Sequence, residues 1–465
     1  MKISRRAALT AGSLGVVAAG AGAVTLANRE KPEPPAPPVL DQNDRLLWRN
    51  WSGIQHAYPA QRAAPASEDE LAALLPKAPG PIRAVGAGHS FTALVPTDGT
   101  LVSLDNLAGV AGWDGDVAQV WAGTRLGALG PALAEKGRAM PGLPDINKQS
   151  LGGAMGTATH GAGKAIPAIH AEAQSLRLAT VTGEVIEASP TKNPEIFQAA
   201  KVSMGALGVI TQAHLATAAN RRLHRRVWVE DFEAACDQAE ARWAKHRNFE
   251  FYAVPFTGLA ANISHDETDE AARPRGPDTD SGFLEVLRSC RNLLAFSTPL
   301  RKAAAHALLS TAKPEEAVDE GWKLLSTERP VRFNEMEYHL PPEAQIPALK
   351  EVVATIEKHR PDVFFPIEVR RIAADDAWLS PFNAGPRGSV AVHCHYKDQY
   401  GFMFELIEPI FRRHGGRPHW GKLHSLGAAD FAALYPRWKD FLEVRRELDP
   451  QGRLLNPFLH KVFGV

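Results

Sequence analysis

The chain has 465 residues, 45% hydrophobic and 22% charged, and its 52 Lys+Arg balance 52 Asp+Glu to a formal net charge of zero. This length exceeds a single hydrophobic core and predicts two or more globular domains; the even charge and the lack of a dense basic stripe give no sign of a nucleic-acid surface. Three cysteines, Cys236, Cys290 and Cys394, are too few and too far apart for a disulfide framework or a structural zinc site, and read as free thiols.

Ser4-Arg5-Arg6 precedes an Ala/Gly-rich apolar stretch from Ala7 to Ala27. Residues 1–30 therefore read as a twin-arginine signal, which directs the protein to the periplasm or another extracytoplasmic site. An uncleaved signal would be its membrane contact. The Pro-rich run from Lys31 to Pro38 reads as an extended linker over 31–40. Strands are predicted at Ile82–Val85, Leu101–Leu104 and Val117–Ala122, and a helix at Leu126–Lys136 that stops at Gly137. Leu176–Ala179 and Val185–Ala188 flank Thr182-Gly183 as a hairpin, and Val209–Leu215 is a further strand. The texture changes near residue 220. Strands are predicted at Val227–Val229, Phe249–Val254, Val331–Tyr338, Phe364–Ile372 and Ser389–Tyr396. Helices are predicted at Phe283–Leu294, Arg301–Leu309 and Ile346–His359. The polar stretch Ser264 to Ser281 reads as a long surface loop. The sum is an α+β protein.

Val85-Gly86-Ala87-Gly88-His89-Ser90-Phe91 is a small-residue turn that lets a ligand approach the backbone and ends on a histidine. It is not a Rossmann loop, because Pro96 and Asp98-Gly99 forbid a long helix after it. Ser150 to Gly163 holds five glycines and three alanines interleaved with Thr157, Thr159 and His160. This composition suits a flat ligand lying on backbone, with hydroxyls and an imidazole as partners. Ser203 to Ile210 repeats the theme before a strand. In the second half, Glu368 and Arg370 sit at i and i+2 of a strand and so share a face. Trp420-Gly421 forms a tight turn that aims Lys422 inward. His393 and His395 also share a strand face, but no third ligand has suitable spacing, so no metal is assigned. No G-x-S-x-G elbow points to a hydrolase.

Seven segments in this order, VGAGHSF (85–91), TDGTLVSLDNL (97–107), SLGGAMGTATHGAG (150–163), GALGVIT (205–211), FNEMEY (333–338), EVRRIAADDAWLSP (368–381) and RPHWGK (417–422), resemble the aldonolactone and alditol oxidase group of the vanillyl-alcohol-oxidase flavoproteins. The resemblance runs from about Trp51 to the C-terminus and is weakest over 260–325. It implies a two-subdomain FAD-binding domain at 41–220, an α+β substrate cap at 221–424 and a return to the FAD domain at 425–465. By the resemblance, His89 carries FAD through a covalent 8α bond. Gly86, Ala87, Gly88 and Ser90 form the pyrophosphate loop, and Gly152, Gly153, Thr157, His160, Val209 and Ile210 make further FAD contacts. Ser150, Glu368, Arg370 and Lys422 match positions near the substrate and flavin N5. Lys148-Gln149 is more polar than the family pattern.

The implied activity is oxidation of a CH–OH group of a sugar-derived lactone, as in D-arabinono-1,4-lactone oxidases. Hydride passes to flavin N5, and oxygen or a redox carrier serves as electron acceptor. In this scheme Arg370 and Lys422 stabilise the developing alkoxide, while Glu368 orients the substrate and Arg370. An alditol oxidase acting on polyols is the alternative within the group. A non-catalytic periplasmic sugar-binding module is the alternative from another class.

Overall fold

In the computed structural model, residues 35–276, 279–294, 296–327 and 331–465 are described. The twin-arginine segment and the start of the Pro-rich linker lie outside them. Among the described residues no helix is long and apolar enough to cross a membrane.

The first half builds two principal sheets. Gln61–Ala63, Thr100–Ser103 and Ile82–Val85 form a parallel three-stranded sheet with Thr100–Ser103 in the centre. An antiparallel five-stranded sheet follows in the order Val185–Ala188, Ala173–Ala179, Val209–Ala216, Val117–Trp121, Val110–Asp114. The hairpin expected around Thr182-Gly183 is its edge, with Val185 opposite Ala179.

Beyond residue 220 the chain builds one antiparallel eight-stranded sheet. Its order is Glu315–Glu320, Arg222–Asp231, Leu259–Thr268, Asn248–Val254, Ile367–Ile372, Arg387–His395, Phe333–Leu340, Arg417–Pro418. The helix Phe232–Lys245 packs on it. Asp231 caps this helix by accepting the Glu233 and Ala234 N–H groups, and Arg242 and Lys245 oppose the dipole in its last turn. The helix Pro342–His359 starts earlier than its apolar periodicity indicates, because Pro342 suits a first turn.

The polar stretch Ser264 to Ser281 is not one long loop. The strand Leu259–Thr268 runs five residues into it, and a helix starts at Thr279. Ladder pairing overrides composition here: Ser264 to Thr268 lie opposite Arg226 to Arg222, with Ser264 and His265 also facing Phe249 and Asn248. Two helices, Thr279–Leu293 and Thr298–Ser310, follow; the second packs on the strands Arg222–Asp231 and Leu259–Thr268.

The last forty residues tie back to the first half. Ile82 N–H donates to the Arg453 carbonyl at 2.7 Å, and the Asn456 amide donates to the carbonyls of Ala93 at 2.7 Å and Pro96 at 2.9 Å. Arg83 is buried, and its guanidinium donates to the carbonyls of Leu94, Met204, Gly205 and Leu454. One side chain thus fastens the strand before the glycine turn, the 203–205 loop and the C-terminal segment. The three cysteines are free, as expected.

Candidate active site

The strand Ile82–Val85 delivers the turn at 86–90. Gly88 has φ +67°, a left-handed conformation natural to glycine. A Cβ at Gly86 would stand 1.9 Å from Ser150 Oγ, so the two loops touch at a point where no side chain fits. The turn is fastened to the 420–421 turn of the distant chain: Phe91 N–H donates to the Gly421 carbonyl at 2.7 Å, and the Thr92 hydroxyl to the Trp420 carbonyl at 2.8 Å. This joint brings His89 near Lys422. His89 stacks on Trp51 with ring centroids 5.0 Å apart. Burial, and then the positive charges of Lys422 and Arg125, push its imidazole down to about 4, so it is neutral at neutral pH.

The opposite wall is one face of the eight-stranded sheet. Residues paired directly across an antiparallel ladder share a face, and the register aligns Tyr252, Glu368, Ala391 and Glu337 in one row. Arg370, Ser389 and His339 form the next row, and Glu335 lies opposite His393. Arg370 Nη2 is 2.6 Å from Glu337 and 3.2 Å from Glu368, and its Nη1 is 3.9 Å from Asp145. The Tyr252 hydroxyl donates to Glu368 at 2.7 Å. Ser389 donates to Glu337, and His160 Nε2 lies 3.2 Å from the same carboxylate. Lys422 donates to Glu335, and His393 Nε2 is 3.6 Å from Glu335.

These neighbours separate three buried carboxyls. Burial alone raises all of them. For Glu335 the charges of Lys422 and His393 outweigh burial and hold it below the usual carboxylate range. For Glu337, Arg370 and His160 do the same. Glu368 stays raised: burial leads, Arg370 pulls down, and Asp145 and Glu337 push up again. Burial works against the charged forms of Arg370 and Lys422, yet the surrounding carboxylates lift both above their ordinary values.

One cavity holds every residue assigned from the sequence. Gly86, Ala87, Gly88, His89, Ser90, Ser150, Gly152, Gly153, Thr157, His160, Val209 and Ile210 line one side, and Glu368, Arg370 and Lys422 the other. Sequence reasoning did not single out Glu335, Glu337, Asp145 and Tyr252. For Glu335 and Glu337 the signal was present, since two acids at i and i+2 in an apolar strand repeat the pattern of Glu368 and Arg370. His393 belongs to the site, whereas burial and the charge of Arg291 act on His395 elsewhere. Among the described residues two groups of possible metal ligands occur, Glu335 with Glu368 and His393, and His160 with Glu337 and His339. Lys422 and Arg370 already neutralise their carboxylates, so neither group is assigned a metal.

The cavity suits a long, flat cofactor. Its first wall is glycine-rich backbone, and the buried oxygens Gln149 Oε1 and Ser203 Oγ line it without a hydrogen-bond partner. Such oxygens fit a ligand with donors and acceptors along its length.

Residues 59–189 match a family model described as an FAD binding domain, and residues 213–462 match one described as D-arabinono-1,4-lactone oxidase. An L-gulono-1,4-lactone dehydrogenase of Mycobacterium tuberculosis is 33% identical over 90% of this chain and 99% of its own. An L-gulonolactone oxidase of Bos taurus is 28% identical over 90% of this chain and 98% of its own. The crystal structure of a cholesterol oxidase from B. sterolicum superposes with a TM-score of 0.74 at 16% identity, over 93% of this chain and 100% of that one, and shares the fold. Fold and cavity together define an FAD-binding flavoprotein of the vanillyl-alcohol-oxidase type, with a two-subdomain FAD-binding part and an α+β cap. Within that class, the chain belongs to the aldonolactone oxidase family.

Proposed function

We propose that this protein is an exported FAD-dependent oxidoreductase that oxidises a CH–OH group of a sugar-derived aldonolactone, with FAD bonded covalently to His89. Residues 41–220 and 425–465 hold the cofactor, and 221–424 form the substrate cap. The observation that carries the reading is the single cavity that sets the glycine-rich turns at 86–90 and 150–160 opposite Glu335, Glu337, Glu368, Arg370 and Lys422. The different neighbours of the three carboxyls suit them to different roles.

Bound FAD supplies the hydride acceptor. The rest of the chemistry falls to this chain. Lys422 and Arg370, held cationic by Glu335 and Glu337, hydrogen-bond the reacting hydroxyl oxygen and stabilise negative charge developing on it. Glu368, the raised carboxyl, receives the hydroxyl proton on its anionic form. Tyr252 and Arg370 fix its orientation. Asp145 and the Tyr252 hydroxyl offer further polar contacts to sugar hydroxyls. His89 is neutral at neutral pH, the form whose nitrogen can bond to carbon.

The test uses purified, FAD-loaded protein. Anaerobic mixing with L-gulono-1,4-lactone or D-arabinono-1,4-lactone bleaches the flavin, and polyols bleach it more slowly. The yellow colour stays with the acid-precipitated protein. Faster bleaching by polyols would move the assignment to an alditol oxidase, bleaching by neither would leave a binding module, and colour washing out in acid would remove the covalent role of His89.

A further inference from the structure

The cavity does not end at the catalytic face. The row that holds Glu368 and Tyr252 continues outward across the same sheet to Ala261 and then Val229, and the neighbouring row runs from Arg370 through Glu250, which does not line the cavity, to Ile263 and Val227. All four apolar residues line the same cavity as the charged cluster, together with Leu284 and Leu309 of the two helices that follow. The cavity lining therefore changes character along the width of the sheet: charged on the inner strands, apolar where Ala261, Ile263, Val227 and Val229 line it, with Tyr252 at the junction. The same outer strands carry Arg225 and His265 one row further along, outside the lining. From Glu368 to Val229 is three strand spacings, about 14 Å. Within the lining, charged side chains reappear only at the outer end, at the exposed Lys313 and Glu315.

A sugar lactone has no apolar part to fill this annexe, and burying its hydroxyls there would be unfavourable. The reaction, however, needs a second reactant that takes up two electrons. We propose that the annexe holds the hydrocarbon tail of a quinone, which is the electron acceptor of this enzyme. The inference rests on the FAD-oxidoreductase reading. After the lactone product leaves, the quinone ring occupies the polar end, where its carbonyl oxygens accept hydrogen bonds from Arg370 and Lys422, and its tail lies against Val227, Val229, Ala261 and Ile263. The balance closes. The substrate CH–OH loses two electrons and two protons to become C=O, and the quinone gains two electrons and two protons to become the hydroquinone. One reacting centre serves both partners in turn, because both offer an oxygen to the same two cations.

The test follows reoxidation of the FAD-loaded protein, reduced with one equivalent of lactone under anaerobic conditions, by a decyl-substituted quinone and by the same quinone without a tail. The second-order rate with the decyl compound should exceed the other by at least about tenfold, as burial of an alkyl chain predicts. In Ala261→Phe, and independently in Val229→Phe in case the first fails to fold, that ratio should fall to near one. Calorimetric titration of the oxidised protein with the decyl hydroquinone should show binding about tenfold weaker in either variant. Equal wild-type rates for the two quinones would overturn the proposal. So would a ratio that survives both substitutions, or a tail advantage that appears instead in alkyl-substituted lactones. If no lactone reduces the flavin, dithionite reduction still allows the reoxidation arm to be run, so failure of the substrate assignment and failure of the quinone site are told apart.

Discussion

The two walls of the cavity are built differently. The wall made by residues 85–90, 150–160 and 203–210 presents backbone and small side chains, which suits close approach of a ligand. The cap-sheet wall presents Glu335, Glu337, Glu368, Arg370 and Lys422, charges fixed in a buried setting. A backbone wall tolerates little added volume but has few groups to titrate. A charged wall can accept isosteric substitution without unfolding, yet loses chemistry when a single charge goes. The first should govern cofactor loading and the second turnover.

Added volume is expected to break the backbone wall. Gly86→Val places side-chain atoms where even a Cβ would be 1.9 Å from Ser150 Oγ. The FAD content of the purified variant, read from its absorbance ratio, should drop below about a tenth of wild type. Full loading would show that the 86–150 contact does not shape the cofactor site. An effect of the other kind is expected from Glu337→Gln. This carboxylate holds Arg370 at 2.6 Å and also receives Ser389 and His160. FAD content should be unchanged while anaerobic reduction by lactone slows about 100-fold. Equal losses in loading and rate would erase the division between the walls.

The difference between the walls also explains what the sequence made legible. Close backbone approach needs glycine and alanine in contiguous runs, so the turns at 86–90 and 150–163 stand out as composition. The strand positions of Glu368 and Arg370 followed from alternation. The charged face, in contrast, is assembled from strands far apart in sequence, and only the ladder register shows that Tyr252, Glu368 and Glu337 form one row. The alternation of Glu335 and Glu337 was legible, but their counter-charges, Lys422 and Arg370, come from other segments and only the structure joins them. The strand at 264–268 was missed for a related reason: its backbone is paired along Arg222–Arg226, and at Ser264 and His265 also along Asn248–Phe249, and local composition reveals neither partner.

The claim on which the account turns is that Glu368 is the carboxyl that takes the substrate proton. Its elevated pKa keeps it protonated to a higher pH than an ordinary glutamate, so the competent anion appears only as pH rises. Stopped-flow reduction of the FAD-loaded protein by L-gulono-1,4-lactone, under anaerobic conditions and across pH, reads this directly. The rate should climb through the Glu368 pKa in wild type, and Glu368→Gln should be slower by about 100-fold or more and lack that rising limb. A Glu368→Gln variant that keeps the wild-type rate and the wild-type pH profile would contradict the account.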